Sequence, residues 1–252
     1  MRLREREAPA AVDVLHRALL AASENTARLR TVLAESAPDD NLLLAVLRRA
    51  VPLRLLELLG AQPPWSESPR VMGGVALNPR APRALLLKVL PALYWRDLAT
   101  VAATMRLPAA ARVRACSLLA EKLPELRLGD RITLARLATT PLLRLLLADP
   151  DVKVVRAALQ NPRLREADLV VGLEQSFVSL ALLREVAEST RWWNVYAVRL
   201  ALVLQPRTPL GIALAQLTSL VPRDLGRVFQ APGLVPLVQM SALRVARRSL
   251  DS

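Results

Sequence analysis

The chain matches itself. Residues 42–123 align without gaps on residues 169–250, an offset of 127, with 21 identities in 82 positions. The shared residues are structurally telling ones. Trp65 meets Trp192, Leu77-Asn78-Pro79-Arg80-Ala81-Pro82 meets Leu204-Gln205-Pro206-Arg207-Thr208-Pro209, and Arg96-Asp97-Leu98 meets Arg223-Asp224-Leu225. Leu87, Leu90 and Leu93 meet Leu214, Leu217 and Leu220, the three-residue spacing of a helix face. A repeat of this kind limits the chain to architectures built from stacked copies of one small unit.

The unit is helical. Apolar residues recur at three- and four-residue steps, and no segment alternates with period two long enough to read as a strand. Prolines punctuate the helices. Pro82 and Pro209 suit a first helical turn, where the missing N–H costs nothing. Thr208 is expected as an N-cap before Pro209. Asp97 and Asp224 are expected to cap or charge the start of a short helix. Pro108 opens a longer helix through Leu123, and its counterpart runs from about Pro236 to Leu250. Between the copies, Asp149-Pro150-Asp151 starts a helix that Asn161-Pro162 ends. The whole reads as about fifteen helices of 8–15 residues. It divides into a helical cap at 1–41, with 1–10 a candidate disordered lead, copy one at 42–123, connecting helices at 124–168, and copy two at 169–252.

The stretch Asp149-Pro150-x-x-x-x-Val155-Arg156-x-Ala158 followed by Asn161-Pro162 resembles HEAT-like repeats, especially the leucine-rich-repeat-variant type found in bacterial proteins. The paired Leu-Asn-Pro-x-x-Pro and Leu-Gln-Pro-x-x-Pro motifs fit the same group. The resemblance covers roughly residues 40–250. It implies an all-α fold in which antiparallel helix pairs stack into a right-handed α-solenoid. A single pair cannot bury its apolar face, so neighbours supply a continuous core and leave long surfaces for binding. Most such proteins bind proteins, and some bind nucleic acid. One branch holds DNA glycosylases, which need an aromatic-lined cleft with an isolated carboxylate; no motif here marks one.

Composition removes several function classes. With 8 glycines in 252 residues and no nucleotide-binding glycine pattern, a phosphate-cradling loop is not expected. One histidine (His16) and one cysteine (Cys116) cannot build a Cys/His zinc site or an intrachain disulfide. No metal or other cofactor is therefore expected. His16 and Cys116 read as structural. No secretory signal and no transmembrane segment are expected, since arginines interrupt the apolar runs. A lone cysteine fits the reducing cytoplasm.

The net charge is +13, and only Lys88, Lys122 and Lys153 are lysines among 35 basic residues. Such a field attracts acidic partners. Arg244, Arg247 and Arg248 share one helix face, and their counterparts Ser117, Ala120 and Glu121 are not basic. They are candidate partner contacts, as are Arg106, Arg112 and Arg114. Tyr94 and Trp95, at a helix-joining turn, could anchor a partner. Trp65 and Trp192 read as helix-junction plugs. Asp97 and Asp224 read as helix-start acids rather than catalysts, because a reaction needs one site and a helix start needs an acid at each recurrence. The expected function is a non-enzymatic protein-binding scaffold or assembly subunit. Its partner is another protein, reached through the charge-poor C-terminal end, or a second copy of the chain. The alternative is nucleic-acid binding through arginine contacts to phosphates.

Overall fold

The computed structural model describes the backbone of residues 4–248 and the side chains of residues 10–248. Residues 1–3, and the expected end of the last helix at Leu250, lie outside the described residues. The fold is all-α, with no strand among the described residues. Seventeen α-helices of 7 to 18 residues appear among the described residues, two more than the sequence suggested.

The chain divides into two compact units, residues 1–122 and 123–252. The first holds α1 (Arg4–Ala21), α2 (Thr26–Ser36), α3 (Asp40–Leu47), α4 (Leu53–Ala61), α5 (Pro69–Leu77), α6 (Arg83–Val89), α7 (Trp95–Ala103) and α8 (Ala109–Lys122). The second holds α9 (Leu128–Leu137), α10 (Thr140–Leu146), α11 (Val152–Leu159), α12 (Glu166–Leu173), α13 (Leu180–Glu188), α14 (Tyr196–Leu204), α15 (Leu210–Leu217), α16 (Pro222–Gln230) and α17 (Pro236–Arg248). From α4 and α13 onward, matched helices keep the offset of the sequence repeat: Leu53 with Leu180, and Arg83 with Leu210.

Most of these helices are too short to stand alone in water, so packing must hold them. In the first unit α1, α3, α5 and α7 touch in succession, and so do α2, α4, α6 and α8. In the second unit α9–α11–α13 and α10–α12–α14–α16 follow the same next-but-one pattern. Leucines and valines fill the space between, including Leu43, Leu47, Leu55 and Leu86 in the first unit and Leu143, Leu183 and Leu202 in the second. Around α15–α17, Val203, Leu217, Leu225, Val228 and Val238 form one buried cluster.

The helix starts follow local chemistry. The side chains of Asn25, Asp39, Ser68, Asp151 and Ser179 each accept a backbone N–H from the first turn of the following helix. Thr208 does not. Pro82 and Pro209 sit at the N-cap itself, one residue before the first turn, with extended backbone angles near φ −70° and −52°. Proline at that place displaces Thr208 from the cap, and its Oγ1 is buried with no partner.

The helix ends are closed from the next layer. The last carbonyls of a helix have no partner within it. Asn78 Nδ2 donates to Leu47 O (2.7 Å) and Arg49 O (2.8 Å) beyond the end of α3. Asn161 Nδ2 reaches Ala135 O (2.8 Å), Arg136 O (3.1 Å) and Ala138 O (3.2 Å) at the end of α9. Gln205 Nε2 reaches Leu173 O (2.6 Å) and Gln175 O (3.1 Å) at the end of α12. In each case the amide oxygen accepts the N–H two residues on, at Arg80, Arg163 and Arg207. The intervening proline has no N–H to offer, so the side chain bridges to the next residue, as turn-forming amides do. One tripeptide, Asn/Gln-Pro-Arg, thus makes a turn and fastens it to the helix end of the preceding layer.

Candidate functional site

The first unit contains a cleft of about 410 Å³ whose walls come from α3, α5 and α7. That volume lies within the range of ligand-binding pockets. Leu44, Leu47 and Leu77 supply apolar wall, Gly73 and Gly74 open it, and Arg48, Arg70, Arg106 and Asp97 give it charge.

Each charged group arrives by a simple local device. Arg48 is the residue at which α3 stops, and Arg70 lies in the first turn of α5. Arg106 follows α7, and its Nη2 donates to Leu77 O at the end of α5 (3.2 Å). That single bond leaves most of the guanidinium's donors for other partners. Arg70 Nη2 donates to Asn41 Oδ1 (2.8 Å). All three arginines are exposed. Among the described residues, none of them forms a salt bridge.

Asp97 stands in the first turn of α7, where the N-cap residue is Tyr94. Its carboxylate caps nothing. Among the described residues it accepts no hydrogen bond and pairs with no cation, and burial pushes its carboxyl up from the ordinary aspartate value. It is half-buried because α5 runs close beneath it. A Cβ added at Gly73 would lie 3.0 Å from Asp97 Cγ and 3.1–3.3 Å from its oxygens. At Gly74 an added Cβ would meet Leu44 and Leu47 at 2.9 Å. Glycine inside a helix costs about 1 kcal/mol relative to alanine, and here the two admit the neighbouring helices.

The second copy shows the same acid satisfied. Asp224 accepts from the Tyr196 hydroxyl (2.6 Å) and from Arg227 Nη1 (2.9 Å). Those two bonds hold its carboxyl below the ordinary value. At the matched positions of copy one stand Pro69 and Thr100, which offer Asp97 neither bond. Conversely Arg48, Arg70 and Arg106 match Gln175, Ala197 and Gly233, and Gly73 matches Leu200. The arginines of the cleft and the glycine that opens it are thus not repeated in copy two. Comparing differences across the repeat, rather than identities, would have marked Arg48, Arg70 and Gly73 in the sequence.

The residues singled out in the sequence are scattered. Arg106 lines the cleft. Arg112 is half-buried with Nη1 3.1 Å from Met105 Sδ, and Arg114 is 3.3 Å from Glu121. Arg112 and Arg114 are two apart on α8 and so face different ways. Tyr94 is 56% exposed, whereas Trp95 is half-buried with the Arg96 guanidinium 5.1 Å from its ring centre. Arg244, Arg247 and Arg248 are all exposed on α17, in line with exposed Leu237 and Met240. Trp192 is a buried junction plug: its Nε1 donates to Leu159 O (2.9 Å), and Arg191 stacks on its ring at 4.3 Å. Trp65 is only half-buried. His16 Nε2 lies 3.1 Å from Ala50 O, a tie between α1 and the turn after α3.

A second cavity of about 360 Å³, in the second unit, is lined by Arg156, Glu185, Glu188 and Arg191. Its arginines are already engaged. Arg156 grips Glu185 through two bonds of 2.8 Å, and Arg191 is spent on the carbonyls of Leu159, Asn161 and Leu164. No helix among the described residues is long and apolar enough to cross a membrane, and none of their His, Cys, Asp and Glu side chains gather in threes as a metal site would need. No protein-family model, curated protein or solved structure is detectably similar to the chain.

Proposed function

We propose that this chain is a non-enzymatic module that binds another protein, built as a right-handed, HEAT-like α-solenoid of stacked antiparallel helix pairs and working in the cytoplasm. The observation that carries the reading is the cleft of the first unit: three exposed arginines with no acidic partner among the described residues surround it, and the repeat does not require them. The next-but-one helix contacts and the recurring Asn/Gln-Pro-Arg turn support the stacked architecture. A binding role is favoured over catalysis because Asp97 stands without a second reacting group. The cleft lining offers no Ser, Cys, His or Lys to act with it. A glycosylase would further need aromatic walls, and the lining has none. The exposed stripe of Leu237, Met240, Arg244, Arg247 and Arg248 on α17 gives the module a second contact, to the same partner or to another copy of the chain.

The test is crosslinking and mass spectrometry in the native host, with an Arg48→Glu/Arg70→Glu chain as control. Proteins held by the natural chain support the reading. Material that is released by nuclease favours the alternative, arginine contacts to a nucleic-acid backbone. That alternative rests on the net charge of +13 and requires affinity to fall steeply with salt.

A further inference from the structure

We propose that the Asp97 cleft receives an extended acidic peptide segment of the partner, whose carboxylates meet Arg48, Arg70 and Arg106 while a backbone N–H bonds to the Asp97 carboxylate. This assignment rests on the protein-binding reading and names the chemistry that the site selects.

The cleft poses two demands that one ligand must meet. Three arginines without acidic partners among the described residues call for anions; guanidinium–carboxylate bonds are strong and directional. Asp97, half-buried and unbonded, calls for a hydrogen-bond donor. A cationic donor would have to enter among three guanidiniums. A second anion pushed against Asp97 would meet a like charge. A neutral N–H avoids both costs, and an extended peptide supplies one at every residue. In such a strand alternate side chains point the same way, about 7 Å apart, so acidic side chains can reach the rim while the backbone lies over Asp97. The contrast with Asp224 supports this: where Tyr196 and Arg227 already supply the donors, the counterparts of Arg48, Arg70 and Arg106 are the uncharged Gln175, Ala197 and Gly233. A nucleic-acid strand fits less well. Its bases bind by stacking on aromatic rings, and no aromatic side chain lines the cleft.

The experiment measures fluorescence polarisation with a labelled peptide of alternating Glu and Gly, on the full chain. Further arms use the same peptide with its central amides changed to esters, and an oligothymidylate of equal charge. The expected result is peptide binding that falls about tenfold with Arg48→Ala or Arg70→Ala and is unchanged by Arg83→Ala, which removes an exposed arginine outside the cleft. Asp97→Leu, which removes the acceptor oxygens together with the charge, gives the decisive sign. Simple attraction of a polyanion predicts tighter binding when a negative charge is removed, whereas a carboxylate that accepts the peptide N–H predicts weaker binding. The ester-containing peptide should bind the natural chain more weakly than the amide peptide, a comparison that needs no variant, and Asp97→Leu, which has no acceptor, should bind the two alike. Tighter binding by Asp97→Leu overturns the proposal, as does equal affinity of the natural chain for the amide and ester peptides. Oligothymidylate that binds more tightly than the peptide, and is lost with the same arginines, also overturns it. A host protein retained by the Arg48/Arg70 double variant leaves the protein-binding reading standing and refutes this one.

Discussion

Replacing Asn161 with alanine tests how the helix ends are held. Asn161 is 2% exposed. Its two N–H groups serve three carbonyls at the end of α9, and its oxygen accepts Arg163 N–H at 2.8 Å. That amounts to three bonds' worth of pairing. Each hydrogen bond contributes about 1 kcal/mol net, and more when its loss strands a buried group. Water has poor access at such burial, so Asn161→Ala should cost about 3 kcal/mol and lower the melting temperature by about 10 °C. Asn161→Asp is the sharper variant, because a carboxylate turned towards three carbonyls removes both donors and adds repulsion. Its loss should exceed that of alanine at neutral pH and shrink in acid as the carboxyl protonates. Urea unfolding followed by circular dichroism at both pH values reads both effects. If Asn161→Ala stays within about 0.5 kcal/mol of the natural chain, the range of an ordinary surface change, the carbonyl-closing role is wrong.

Three further outcomes follow from the ion pairs and the two repeat acids. Arg131 donates to both oxygens of Asp149 at 2.9 and 2.7 Å, and that carboxylate is only 3% exposed. Arg131→Met should cost about 3 kcal/mol in urea unfolding, and replacing Asp149 with leucine as well should recover part of the loss. Asp97 has a raised carboxyl, so between the unfolded and folded values the folded chain holds the extra proton and stability falls as pH rises. Asp97→Asn should therefore unfold at higher urea than the natural chain at neutral pH and match it in strong acid. Asp224 behaves oppositely. Its lowered carboxyl contributes stability above the unfolded value, and this is lost as pH falls through the folded one. Tyr196→Phe should move the Asp224 titration upward in a carbon-13 NMR experiment and leave that of Asp97 in place.

Proline and the leucine spacing made much of the helix plan legible. Pro108 and Pro236 stand at the starts of α8 and α17, and Asp151 caps α11 where the Asp-Pro-Asp run suggested a start. Proline also misled. Its fixed φ suits the N-cap as well as the first turn, and position alone cannot separate the two, so the sequence points to Thr208 for a cap that Pro209 occupies. Asn78, Asn161 and Gln205 read as turn residues because their carbonyl partners lie 23 to 32 positions earlier in the chain. The cleft was hidden for a related reason. Asp97 and Asp224 look alike in sequence, and only the presence of Tyr196 and Arg227 beside one of them makes them different groups.

The Asn/Gln-Pro-Arg turns also set an order of completion during synthesis. The end of α9 leaves the ribosome with bare carbonyls, and the amide that covers them is translated 23 to 26 residues later. The end of α12 waits 30 to 32 residues for Gln205. A nascent chain halted before these side chains emerge lacks the donors for those carbonyls, and each newly made turn closes the end of the helix two before it.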